Sequence, residues 1–122
     1  DDEIISVMSY NFETIIAEKF ESILSRNITN TRMKDYYDLY MFVNFKWNDI
    51  DKKELFEAIK NTSAKRKSVD YIQNASKYIE LIEVDNKLKQ LWKSYVSVYD
   101  YAKGIDFEDT IKAIKLICEV VK

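Results

Sequence analysis

The sequence predicts an all-α protein, a single bundle of about six helices behind a short extended amino-terminal segment, and three observations carry that expectation. The 122 residues contain no proline and one glycine, Gly104, which removes the punctuation that turn-rich β folds need. Apolar and aromatic residues recur at intervals of three and four along most of the chain, the period of a helix face and not of a strand face. With 47% hydrophobic and 33% charged residues, there is apolar surface for one core and nothing in the composition to mark a second.

Ile4-Ile5-Ser6-Val7-Met8-Ser9-Tyr10 is β-branched and partly alternating, so residues 1–10 are expected to run extended, with no partner strand in the remainder. The first helix is expected from about Asn11 to Arg26, with Phe12, Ile16, Phe20, Ile23 and Leu24 in one stripe and Asn27 as its stop. The second should span about Thr31 to Phe45, capped by Asn30 or Thr31, with Met33, Tyr36, Tyr37, Tyr40 and Val43 facing the core. Asp51-x-x-Glu54 has the form of a capping box and opens a third helix through Leu55, Phe56 and Ile59, ending near Lys65-Arg66-Lys67. A shorter helix through Tyr71, Ile72, Ala75, Tyr78, Ile79 and Ile82 follows. Asp85 caps the next, with Leu88, Leu91, Trp92, Tyr95 and Tyr99 in register, and Gly104 ends that helix or its loop. Asp106 caps the last, carried by Phe107, Ile111, Ile114, Cys118 and Val121.

Charge narrows the function. A net charge of −2 and a pI near 5.3 do not suit a domain that holds nucleic acid by bulk electrostatics, so any RNA contact must be local. The absence of histidine excludes histidine general-base, triad and zincin chemistry, and no Gly-rich phosphate cradle is present. Cys118 is alone, which rules out an internal disulfide framework and fits a reducing, cytoplasmic compartment. No stretch approaches the roughly 18 apolar residues of a membrane span.

The most informative run is Arg32-Met33-Lys34-Asp35-Tyr36-Tyr37-Asp38-Leu39-Tyr40, which sets two cations and two carboxylates in the first turns of one helix. Thr31, Lys34, Asp35 and Asp38 share a polar face at helical spacing. Read plainly, Lys34 and Asp38 form an i,i+4 ion pair and Arg32 and Asp35 an i,i+3 pair, each contributing about half a kcal/mol or less. The order counts against that reading, because cations ahead of carboxylates oppose the helix dipole. Upstream, Lys19 lies four residues from both Ile15 and Ile23, at the border of the first helix's apolar stripe, where its stem can pack while its head reaches a cleft.

Glu13-x-x-x-Ala17-Glu18-Lys19-Phe20, Ser25-Arg26 and Arg32-x-Lys34-Asp35-x-x-Asp38-Leu39-Tyr40 together resemble the AbiEii/AbiGii-type nucleotidyltransferase toxins, closely from Tyr10 to about Phe42 and loosely beyond, through Arg66 and Trp92. The resemblance implies the carboxy-terminal helical part of a toxin from a bacterial toxin–antitoxin or phage-defence pair, with residues 1–10 leading out of an amino-terminal nucleotidyltransferase domain. It implies NTP-dependent, Mg²⁺-assisted nucleotidyl transfer onto RNA, a tRNA acceptor end being the expected recipient, with a cognate antitoxin as partner. By the same resemblance Lys34, Asp35 and Asp38 belong to the catalytic constellation, while Lys19, Arg32 and Arg66 contact substrate. The family's Gly-Ser motif and its metal-holding aspartates are missing from these residues, so no metal ligand is assigned here and the chain is not expected to catalyse alone. The rival expectation is a non-catalytic helical module whose charged patch docks an antitoxin or another protein.

Overall fold

A computed structural model describes residues 12–122; the expected extended segment, from Ile4 to Tyr10, lies outside the described residues. These form seven α-helices: α1 Phe12–Arg26, α2 Met33–Phe45, α3 Lys52–Lys65, α4 Val69–Gln73, α5 Ala75–Glu83, α6 Asn86–Val98 and α7 Phe107–Val120, with 3₁₀ turns at Asn27–Thr29, Trp47–Asp49 and Asp100–Ala102. The all-α expectation holds. Helix α1 makes its broadest interface with α3 and also meets α2, α4 and α5, while α2 lies on α7 and α5 packs on α7 as well. Ile16, Phe20, Ile23, Leu24, Tyr36, Leu39, Leu55, Ile59, Ile82, Leu88, Ile111 and Ile114 are among the wholly buried side chains of the single core.

Local chemistry explains most boundaries. Asn27 stops α1 in a left-handed conformation, φ 37°, which asparagine tolerates better than other side chains with a Cβ, and its amide donates to the Leu24 carbonyl. The helix expected through Tyr71 and Ile82 is divided at Asn74 into α4 and α5. There the Asn74 side-chain amide donates to the Asp70 carbonyl at 2.8 Å, a competition with the backbone that favours a break.

Two caps differ from expectation. Helix α2 begins at Met33 after Arg32, with no side-chain cap. Asn30 instead accepts from the Arg32 N–H at 2.9 Å, so it shapes the approach to the helix and not its first turn. Asp51 caps α3 by accepting from the N–H groups of Lys53 and Glu54. The reciprocal arm comes from Glu13 of α1, whose carboxylate accepts from the Asp51 N–H at 3.3 Å; Glu54 remains exposed. The capping box is therefore assembled between two helices. Asp85 caps α6 and Asp106 with Asp109 forms a box on α7.

The inward face of α2 is Met33, Tyr36 and Leu39, whereas Tyr37, Tyr40 and Val43, expected there, are half-buried. The Tyr36 hydroxyl finds no hydrogen-bond partner among the described residues. Burial, reinforced by the Asp35 and Asp85 carboxylates, holds its pKa far above the ordinary tyrosine value. Since that pKa is raised on folding, stability is full below the unfolded value of about 10 and falls as the pH climbs beyond it. Tyr36→Phe is therefore expected to leave denaturant stability at pH 7 unchanged or about 1 kcal/mol higher, and to lessen the loss between pH 10 and 11.5. A Phe variant clearly less stable than the parent at pH 7 would show that the hydroxyl has a partner.

Candidate functional site between α1 and α2

Ile16, Phe20 and Ile23 anchor α1 in the core and leave Lys19 at the edge of that stripe, half-buried. Across from it the first two turns of α2 present Asp35 and Asp38, one turn apart. The Lys19 ammonium bridges them, with Nζ 3.2 Å from Asp35 Oδ1 and 2.9 Å from Asp38 Oδ2. Lys34 grips Asp38 with both carboxylate oxygens in reach, at 2.9 and 3.1 Å. Arg32 Nε stands 3.8 Å from Asp35 Oδ1. Both expected intrahelical pairs therefore form, and Lys19 joins them into one network across two helices.

Placement within the network is uneven. The Asp35 side chain is only 9% exposed, whereas Lys34 is 56% and Arg32 72% exposed. The expectation of one outward polar patch holds for Lys34 but not for Asp35, which borders the buried Met33, Tyr36 and Leu39 face and lies beneath Lys19. Desolvation pulls the Lys19 pKa down, but hydrogen bonding and attraction from Asp38, then Asp35, outweigh it and hold the ammonium above its ordinary value. Lys19 is thus charged throughout the neutral range. Three cations face two carboxylates, so the cluster carries a local excess of positive charge, displayed on the Lys34 and Arg32 head groups.

That arrangement suits an anion better than a metal. Mg²⁺ is held by carboxylate oxygens free to enter an octahedral shell, and here both carboxylates already share an ammonium. Among the described residues no group of three or more His, Cys, Asp or Glu side chains could hold a metal ion. These residues do not fit a magnesium site by themselves.

Arg66 stands apart from this network. Its guanidinium binds Glu21 at 2.6 Å and Glu18 at 3.0 Å, with Ser22 Oγ at 3.3 Å, which fastens the end of α3 to α1. Glu21 is buried, so Arg66 supplies the counter-charge such a group requires. Sequence reasoning did not find this partnership, because nothing in the spacing of residues 18, 21 and 66 signals it. It also assigned Tyr95 and Tyr99 to packing and gave Tyr101 no role, although these rings cluster with Tyr37, which lies next to Asp38 in the charged network.

No helix among the described residues is long and apolar enough to cross a membrane. In comparison with known families, the model of the nucleotidyl transferase AbiEii toxin, Type IV TA system, matches residues 1–113. Comparison with curated proteins found no match, and neither did comparison with solved structures.

Removing Lys19 leaves Asp35 buried beside Arg32 alone. Lys19→Met is expected to destabilise the fold by an amount at the lower end of the roughly 3–5 kcal/mol seen when one member of a buried pair is deleted. Lys34→Ala removes an exposed i,i+4 pair and is expected to cost no more than about 0.5 kcal/mol. Because the Lys19 pKa is raised, the difference between parent and Lys19→Met should be full below about pH 10.5 and shrink as the pH climbs through the folded value. Urea unfolding of the three proteins at pH 7, 9 and 11.5 measures this; equal stability of Lys19→Met and parent at pH 7 would contradict the bridging role.

Proposed function

Because the chain belongs to the AbiEii family of nucleotidyl transferase toxins of Type IV toxin–antitoxin systems, we propose that its α1–α2 cluster forms part of a nucleotidyl-transfer site. In this reading Lys34 and Arg32 meet the phosphates of a nucleoside triphosphate, and the acceptor is an RNA, with a tRNA end as its expected form. The observation that carries it is the Lys19 bridge: an ammonium from one helix, clamped by two carboxylates of another, leaves two further cations facing solvent. Rigid placement of charge before the reaction is what electrostatic catalysis requires.

In nucleotidyl transfer an acceptor hydroxyl oxygen attacks the α-phosphorus, the bond to the β-phosphate oxygen breaks, and pyrophosphate leaves with the bonding electrons. Negative charge grows on the leaving group, and Lys34 and Arg32 have free N–H donors to receive it. The hydroxyl proton must pass to a base, and Asp38 is the more accessible carboxylate. Asp35 and Lys19 act from behind, fixing the turn that carries the other groups. The Mg²⁺ that the family resemblance implies is assigned to residues outside this cluster. Within this proposal the protein acts in a toxin–antitoxin or phage-defence setting, with a cognate antitoxin as its partner.

One observation favours the rival, a non-catalytic module docking an antitoxin: both carboxylates are already neutralised inside the chain. A single experiment separates the two. In the full-length protein, Lys34→Ala and Asp38→Asn are expected to lower transfer of labelled nucleotide to RNA by about 10- to 100-fold or more, with growth inhibition lost in parallel. Unchanged transfer at equal abundance would remove the cluster from the catalytic site and leave the docking reading.

A further inference from the structure

The charged cluster continues into a group of aromatic rings brought together from three elements. Tyr37 of α2 lies 4.7 Å from Tyr101, which belongs to the 3₁₀ turn after α6, and Tyr99 at the end of α6 lies 4.7 Å from Tyr95 and 5.4 Å from Tyr101, centroid to centroid. Beneath them Trp92 stacks on Tyr95 at 5.4 Å and donates its indole N–H to the Ile105 carbonyl. The rings are graded in depth: Trp92 is buried, Tyr95 half-buried, and Tyr99 and Tyr101 are 44% and 50% exposed.

Surface tyrosines ordinarily sit with the ring covered and the hydroxyl in water. Here the Tyr95 and Tyr101 hydroxyls bond to each other. This fixes the Tyr101 ring through its polar tip and leaves half of its surface uncovered.

This aromatic rim is continuous with the cations. Tyr37 is three residues after Lys34 and adjacent to Asp38, and the pKa values of Tyr37 and Tyr95 are both raised, first by burial and Tyr101 and then by Asp38. A flat π surface that reaches Lys34 through Tyr37 matches the two invariant parts of a nucleotide, a base face and a phosphate.

We propose that Tyr99 and Tyr101 form a stacking ledge for an unpaired base of single-stranded RNA, whose neighbouring phosphate is met by Lys34. The proposal rests on the transfer reading above for its ligand class and adds the part of the surface that receives the acceptor strand. Stacking is indifferent to base identity, so the ledge provides affinity and position, not sequence choice. Since the chain as a whole is acidic, binding draws on stacking and on one or two phosphate contacts. A shallow salt dependence follows, with a slope of log affinity against log salt of about −0.7 for each phosphate met.

The test is fluorescence anisotropy of an end-labelled single-stranded hexaribonucleotide of mixed sequence, titrated with the 122-residue chain at several salt concentrations. Tyr99→Ala and Tyr101→Ala, both at exposed positions, are expected to weaken binding about 5- to 150-fold each, while Tyr101→Phe, which keeps the ring, stays within about twofold of the parent. Lys34→Ala is expected to weaken binding and to flatten the salt slope by about 0.7. Binding lost in Lys34→Ala but untouched by the tyrosine variants would overturn the ledge and leave the phosphate reading standing. Absence of binding by the parent, or binding that none of these variants alters, would overturn the ledge as well, and nucleotide transfer by the cluster variants would then decide separately on the charged site. Loss of antitoxin binding in the tyrosine variants, with oligonucleotide binding intact, would assign the rim to a protein partner and overturn the proposal.

Discussion

The Lys19 ammonium held between Asp35 and Asp38 is the contact on which the arrangement of the surface depends. Two carboxylates one turn apart on α2 repel each other, and Asp35 is nearly shut off from water. Without a cation between them, the buried carboxylate would lack a counter-charge. Lys19 supplies it and couples the start of α2 to the middle of α1. The other charged contacts of α1 serve the same end from the opposite side: Glu18 and Glu21 take Arg66 from the end of α3, and Glu13 completes the cap at the start of α3. Helix α1 is therefore fastened to both ends of α3, through Glu13 at its start and Glu18 and Glu21 at its middle, with Lys19 projecting toward α2. The position of Lys34 and Arg32 is inherited from that fastening.

Most of the fold was legible because it rests on periodicity. Of the stripe Phe12, Ile16, Phe20, Ile23 and Leu24, the last four are wholly buried and Phe12 is half-buried, and the stops and caps at Asn27, Asp51, Asp85 and Asp106 follow from side chains that bond their own backbone neighbourhood. What escaped is what depends on three-dimensional partners. Asn74 divides a helix although the apolar pattern runs straight through it, because a local side-chain bond outweighs a weak periodic preference. Tyr36 and Tyr37 carry the same propensity, yet a 100° step on the wheel puts one in the core and the other at its border. The candidate site shows the same division. Lys19 at the edge of an apolar stripe and the Lys34–Asp38 pair could be read from spacing, whereas the depth of Asp35 and the clasp of Arg66 on Glu21 depend on how α1 lies against α2 and α3. No residue interval encodes that.

The charge order of α2, unfavourable for an isolated helix, becomes intelligible once the neighbours are counted. Cations in a first turn lose a few tenths of a kcal/mol against the helix dipole. Lys34 recovers part of this from Asp38, but Arg32 is held only loosely and no side chain caps the helix. Two exposed cations then lie at the positive end of the dipole. Stability alone does not select such an arrangement, and all three elements act with the same sign on an approaching anion.

If the charged cluster binds a nucleotide as proposed, a protein of net charge −2 faces a conflict, since its average field repels what that site must attract. Debye screening resolves it at close range. At physiological ionic strength fields decay over about 8 Å, so a phosphate beside Lys34 and Arg32 responds chiefly to the local excess and little to distant carboxylates. Long-range steering is then weak, and capture must rely on contacts made after encounter. Half-covered aromatic surface next to the cations answers that need, because stacking is short-ranged, insensitive to salt and additive to a phosphate contact. Under the proposed reading the tyrosines and the ion-pair network are two halves of one recognition surface, in which the network would hold the charge in place and the rings would supply the grip that the protein's overall charge denies.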